Sequence, residues 1–361
     1  MKVLLVAGAR PNFMKIAPIF HATPERVDCR IVHTGQHYDY QMSQTFFDDL
    51  ELPAPDYFLD AGSGSHAVQT AKVMVAFEKV CLEVEPDLVI VVGDVNSTLA
   101  CSIVAKKLWI KVAHVEAGLR SFDLLMPEEI NRMVTDAISD YFFVTEACAA
   151  KNLEREGKPD EQIFFVGHVM IDNLLRQVEK LDEIDCRSLK VWDLHERLGG
   201  KDYVFLTLHR PSNVDEREVF AGIVEVLNEI AEECPIVFPI HPRTLKMLAE
   251  FGLELSEKIV QLEPLGFRES LFLWRDAALV LTDSGGLQEE TTALGVPCIT
   301  LRENTERPIT VDVGTNVLAG NQPAAIRAAY AKIRAGKVSG RIPDLWDGKA
   351  AARIWDILLE V

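Results

Sequence analysis

The sequence predicts an α/β protein of two domains, each a parallel sheet wrapped by helices. Short β-branched runs alternate with longer helical patterns along nearly the whole chain, the arrangement expected of a parallel sheet with helical crossovers. Several runs are apolar at consecutive positions, as in LVIVV at Leu88–Val92, which suits strands covered on both faces. With 361 residues, the chain is too long for a single core to be the default.

Taken in order, the first domain has strand candidates at residues 2–7, 30–33, 88–92, 111–115, 141–144 and 163–166. A helix follows the third of them, capped at Asn96 or Ser97. Pro127 opens another, with Glu128 and Glu129 complementing the positive end of its dipole. After a more polar, helical stretch at 177–200 the same rhythm restarts, with strands at 203–207, 236–239, 259–261, 279–282 and 298–300. The tail AARIWDILLEV places Ala351, Ile354, Trp355, Leu358 and Leu359 at helical spacing. The expected domains are 1–168 together with 349–361, the last helix crossing back, and 169–348.

The formal net charge of -18 argues against nucleic acid or an anionic membrane as partner, since both demand basic surfaces. An anionic ligand must be held by local positive groups. The seven cysteines form neither a CxxC motif nor a zinc-ligand spacing, so no metal is expected and the thiols read as reduced and structural. The opening MKVLLVAGARP is too brief for a signal-peptide core and reads as a first strand. Without an apolar stretch of membrane-spanning length, the expectation is a cytoplasmic protein.

Chemistry-bearing residues cluster just beyond strands, where open α/β sheets bind ligands. Asp94 follows the strand at 88–92 and Glu116 follows that at 111–115. Each also has a plainer reading, as a turn or cap residue and as a loop residue making a structural hydrogen bond. GARPNFMK carries Arg10 and Lys15 on the first strand-to-helix turn. GxGxxG is absent after the first strand of either domain and GxxxxGK[ST] is absent throughout, so no nicotinamide cofactor is expected. GQHYD, from residue 35, has the composition of a loop, and GSGSHA, from residue 62, that of a turn and cap. His114, inside an apolar strand, reads as a satisfied core histidine.

In the second domain His209 and Arg210 directly follow a strand, and PIHPRT repeats the arrangement with His241 and Arg243; both are placed for acid/base work or phosphate contact. The most specific stretch is LTDSGGLQEETTALGVPCITLRENTERP at 281–308. Ser284, Gly285 and Gly286 end a strand and open a helix, so backbone N–H groups can cradle a phosphate. Glu289 or Glu290 can accept from ribose hydroxyls, and Arg307 adds a phosphate donor.

With GARPNFMK, TGQH, GDVNSTLA, HVEAGLR, PEEINR, HR at 209 and 210, DSGGLQEE, TERP and DGKA in view, the chain resembles the non-hydrolysing UDP-N-acetylglucosamine 2-epimerases over nearly its whole length. The resemblance implies two Rossmann-like domains in the GT-B glycosyltransferase architecture, a UDP-sugar substrate, no cofactor and a homodimer. Carried over by motif, it implies Asp94, Glu116, Glu128 and His209 as catalytic groups, Arg10 and Lys15 near the substrate phosphates, Ser284, Gly285 and Glu290 on the nucleotide, and Arg307 near sugar and phosphates. GQHYDYQMSQ and GSGSHA also look like relatives acting on UDP-diacetamido-glucuronic acid, so two sugars remain open. A GT-B glycosyltransferase and a hydrolysing epimerase are further alternatives.

The C2–H bond of such a sugar is not adjacent to a carbonyl and is hardly acidic. Elimination of UDP and its re-addition is the route the resemblance implies, and it needs proton carriers and a means of stabilising the departing anion.

Overall fold

The structure is a computed structural model that describes residues 1–35, 47, 50–199 and 202–361. Of the GQHYD stretch, residues 36–39 lie outside the described residues. The chain divides into two compact units, Met1–Asn173 with Asp344–Val361, and Leu174–Pro343.

In the first unit, β1 (Lys2–Ala7), α1 (Arg10–His21), β2 (Asp28–His33), β3 (Tyr57–Phe58), α2 (His66–Val84), β4 (Leu88–Val92), α3 (Asn96–Lys107), β5 (Lys111–Val115), α4 (Pro127–Ile138), β6 (Tyr141–Val144), α5 (Ala147–Arg155) and β7 (Ile163–Phe165) follow one another. The helix α6 (Val169–Glu183) carries the unit boundary. The seven strands are ordered β3-β2-β1-β4-β5-β6-β7, and each paired neighbour is parallel. β4 shows why its run does not alternate. Leu88, Ile90 and Val92 face one core with Ile16 and Phe143, while Val89 and Val91 face the other with Phe77 and Val104.

The C-terminal helix α15 (Ala350–Leu358) completes the first of these cores. Ile354, Trp355 and Leu358 are buried in it, and the Trp355 indole donates to the Ile19 carbonyl at 2.8 Å. Its N-terminus is held by Asp172, whose carboxylate accepts from the Ala350 and Ala351 N–H groups at 3.1 and 2.7 Å.

The second unit contains α7 (Trp192–Arg197), β8 (Val204–Thr207), α8 (Pro211–Val214), α9 (Arg217–Glu233), β9 (Ile236–Pro239), α10 (Pro242–Phe251), β10 (Ile259–Leu262), α11 (Phe267–Trp274), β11 (Leu279–Thr282), α12 (Gly285–Leu294), β12 (Cys298–Thr300), α13 (Pro308–Asp312), β13 (Asn316–Leu318) and α14 (Pro323–Arg334). Its six parallel strands are ordered β10-β9-β8-β11-β12-β13.

Both sheets reverse strand order beside their first strand, between β1 and β4 and between β8 and β11. Such a switch point opens a crevice at the carboxyl ends of the strands. The turns leaving β1 and β4 carry Gly8–Lys15 and Asp94; those leaving β8 and β11 carry His209, Arg210 and Ser284.

Two short strands, β3 and β13, are absent from the expectations because two or three residues show no period. The cap on α3 also differs. Val95 is its N-cap without a side-chain bond, and Asn96 instead accepts from Asn131 and donates to Gln69. Among the described residues, no helix is long and apolar enough to cross a membrane.

Candidate active site

In the first unit Glu116 follows β5 in a left-handed conformation, φ 68°, and is 4% exposed. Burying a carboxylate requires a counter-charge. Lys15, one helical turn into α1, supplies it by ion-pairing with Glu116 Oε2, and His168 Nε2 lies 4.0 Å from Oε1. Gly93 permits this approach: a Cβ there would stand 3.0 Å from Lys15 Nζ, and its φ is 66°. Asn12 closes the first turn, accepting from Ala9 N–H at 3.0 Å and donating to the Val92 carbonyl at 3.3 Å. It thereby ties the β1 turn to the end of β4.

Asp94 lies half-exposed beyond Gly93. Arg132 Nε stands 3.1 Å from its Oδ2, and Asn131 donates to its backbone carbonyl at 2.9 Å. The same guanidinium reaches Glu129 at 2.7 Å. Glu129 also accepts from the N–H groups of Ser121 and Phe122, at 2.9 and 3.0 Å. Burial opposes its charge, but these donors and Arg132 hold the carboxyl below its usual range. Of the paired acids in PEEINR, Glu129 is thus the buried anchor of the preceding loop, while Glu128 is half-buried.

In the second unit the organising group is Asp283, fully buried at the end of β11. Its Oδ2 accepts from the His209 and Arg210 N–H groups at 2.8 and 2.7 Å, and Oδ1 lies 3.1 Å from His209 Nδ1. Burial works against its charge, yet the His209 contacts and the Arg210 N–H bond hold it lowered. The His209 and His241 rings lie 5.6 Å apart. His241 caps α10 by accepting from Arg243 N–H at 3.1 Å, and Arg243 pairs with Asp215.

Ser284 is the N-cap of α12 but makes no side-chain capping bond. The first-turn N–H groups of the helix therefore require water or an anion. A Cβ on Gly286 would meet nothing within 4 Å, so this turn is open to a ligand. Behind it, Arg307 Nε is 2.7 Å from Glu289 Oε1. The next acid, Glu290, is 8% exposed. Burial first and the Glu289 charge second push it up to about 7. Among the described residues, no group of three or more His, Cys, Asp or Glu side chains is placed to hold a metal ion.

The family model for UDP-N-acetylglucosamine 2-epimerase matches residues 21–359. The chain belongs to the UDP-N-acetylglucosamine 2-epimerase family. A UDP-N-acetylglucosamine 2-epimerase from Methanocaldococcus jannaschii is 45% identical over 373 aligned positions, covering 99% of each chain. A UDP-2,3-diacetamido-2,3-dideoxy-D-glucuronate 2-epimerase from Pseudomonas aeruginosa is 40% identical over 367 positions, covering 100% of both. The crystal structure of the Methanocaldococcus jannaschii UDP-GlcNAc 2-epimerase in complex with UDP-GlcNAc and UDP superposes with a TM-score of 0.82 at 44% identity, covering 100% of both chains. The fold class is that of these 2-epimerases: two parallel-sheet α/β units of GT-B type.

For this member of the 2-epimerase family, the structure pairs Lys15 with Glu116 against Gly93, the residue before Asp94, at the first unit's switch point, and sets His209 against Asp283, the residue before Ser284, Gly285 and Gly286, at the second's. Arg10 is the first residue of α1. Sequence reasoning missed the connecting residues Asn12, Arg132, Asp136 and Asp283, and read Glu129 only as a complement to the helix dipole. The acid at the end of β11 follows the strand-end rule that singled out Asp94 and Glu116, so Asp283 carried a usable signal. Arg132, three residues after Glu129 on one helical face, carried another.

Proposed function

We propose that the chain epimerises C2 of a UDP-N-acetylhexosamine, converting UDP-N-acetylglucosamine to UDP-N-acetylmannosamine by elimination and re-addition of UDP without hydrolysis. The observation that carries this reading is the pair of strand-end carboxylates, Asp94 and Glu116, each tethered to its own cation, in a chain 45% identical to a named 2-epimerase. In this reading the first unit supplies the proton carriers. A base removes the C2 proton as UDP leaves C1, and a carboxyl returns a proton to the opposite face of the glycal. Asp94, Glu116 and Glu128 are the candidate groups, and such general acids or bases contribute about 10² to 10⁴ each in rate.

The second unit holds UDP. The α12 N-terminus receives phosphate, Glu290 accepts from ribose, and His209, Arg307, His241 and Arg243 border the anion. No cofactor enters this route.

The 40% identity to the diacetamido-glucuronate enzyme over the whole chain supports a second reading, in which the same elimination acts on that sugar. Both substrates are therefore incubated separately with the protein in D₂O and followed by NMR. Deuterium at C2 of a UDP-linked epimer supports the reaction and picks the sugar; unlabelled substrate in both samples, or released free sugar, overturns it.

The proposal includes a cytoplasmic homodimer. All seven cysteines are free, in keeping with a reducing compartment. α3 packs against both α2 and α4, and Val68, Val75 and Leu82 of α2 and Ile130 and Met133 of α4 are exposed. Exposed apolar side chains on packed helices are candidates for a protein interface.

A further inference from the structure

His114 and Asp136 are both wholly buried in the first unit, and the reaction outlined above uses neither. Their contacts run to the backbone of the turns that carry both candidate carboxylates. His114 Nε2 is 2.8 Å from the carbonyl oxygen of Gly93, the residue before Asp94. His114 Nδ1 is 2.6 Å from Asp136 Oδ1. The other carboxylate oxygen of Asp136 accepts from the N–H of Gly118, two residues after Glu116, at 3.0 Å. Gly93, Glu116 and Gly118 have φ of 66°, 68° and 77°. Both turns are therefore bent through the left-handed region, and Glu116 has no glycine's freedom there.

The hydrogen-bond chemistry fixes the charge of the ring. A peptide carbonyl only accepts, so Nε2 carries a proton. Arg120 stands 2.7 Å from Asp136 Oδ2. Although burial opposes the Asp136 charge, His114 and Arg120 hold its carboxyl below the usual range. An ionised carboxylate also only accepts, so Nδ1 carries a proton as well. The charges that face this pair balance: Arg120 from the β5–α4 loop is shared with Glu156 beyond α5, at 2.7 Å. On the far side of Gly93 lies the ion pair of Lys15 and Glu116.

We propose that His114 and Asp136 are positioning residues, a buried imidazolium–carboxylate pair that fixes the two turns presenting Asp94 and Glu116 through the Gly93 carbonyl and the Gly118 N–H. The proposal rests on the epimerase reading only for its catalytic consequence; the charge state of the ring stands independently. Because one pair sets both turns, losing either member displaces both carboxylates together. Displacement of reacting groups by about 1 Å costs up to about 10²-fold in rate.

The test uses the intact protein with ¹⁵N-labelled histidine. Of its nine histidines, one should show two ring N–H protons in slow exchange at neutral pH, the signature of a buried imidazolium. This signal should vanish in His114→Gln and shift in Asp136→Asn. In epimerisation assays both variants should lose about 10- to 100-fold in kcat, with KM and the Kd for UDP within about twofold of wild type. The double variant should be no worse than the poorer single one, because the two act as one unit. The wild-type spectrum needs no variant to fold. A single-N–H neutral ring at His114, or wild-type kcat in Asp136→Asn, overturns the proposal. Wild-type protein inactive on either UDP-sugar overturns the epimerase reading instead, while the spectrum still decides the state of the ring.

Discussion

Arg132 bridges Asp94 and Glu129, standing 3.1 Å from one carboxylate and 2.7 Å from the other. One guanidinium therefore sets both the candidate proton carrier beyond β4 and the loop that leads into α4. Arg132→Lys keeps the charge but loses the planar fork that serves two carboxylates at once. It should lower kcat for UDP-sugar epimerisation by about 10-fold or more, given the sensitivity of rate to geometry. UDP affinity by calorimetry should change little, and a large loss of UDP binding would show that Arg132 acts elsewhere.

Glu116→Gln should abolish turnover, by about 10² to 10⁴ if the carboxylate carries a proton, while leaving UDP binding largely intact. Lys15→Met poses the complementary question, because it leaves Glu116 buried without its cation. Breaking a buried pair in this way costs about 3–5 kcal/mol, read as a lower midpoint in urea unfolding. Equal stability of Lys15→Met and wild type would remove the ion pair from the account.

Glu290 makes stability depend on pH. Its carboxyl is pushed up from 4.5 to about 7 by burial and by Glu289, so between those values the folded chain binds more protons than the unfolded one. Stability is then fully present below about pH 4.5 and declines as pH rises through about 7. Glu290→Gln should match wild type in acid and exceed it at pH 8 by an amount on the order of 3 kcal/mol, measured as Tm against pH in the absence of UDP. Parallel Tm curves for the two proteins would contradict this.

Val75 is 61% exposed and Leu82 63%, one above the other on α2. If this face joins two copies, Val75→Glu should turn a dimer into a monomer in light scattering without changing Tm by more than the dimer linkage requires. A wild-type monomer, or a variant that remains a dimer, argues against this face.

Much of the fold was legible because parallel strands buried on both faces leave consecutive apolar runs: β1, β4 and β8 announce themselves in this way. β3 and β13 did not, since their pairing partners rather than their own residues make them strands. The candidate site divides similarly. Asp94, Glu116 and Ser284 follow strands and could be found by position. Asp136 and Asn12 sit within helices, and only the tertiary structure shows that their side chains reach back to strand-end turns. The plainer reading of His114 as a satisfied core histidine holds for its contacts, and its partners in space give those contacts their consequence.

The helix at Ala350–Leu358 contributes Ile354, Trp355 and Leu358 to the core of the first unit, whose earlier segment ends at Asn173. The second unit is contiguous, Leu174–Pro343. During synthesis the residues of the later-made unit are therefore all present while the earlier unit still lacks part of its interior. Until residues 350–358 emerge, Ile19 has no indole partner and Asp172 has no helix to cap. A nascent chain arrested before that point would expose apolar surface to chaperones, although every strand of its sheet had already been translated.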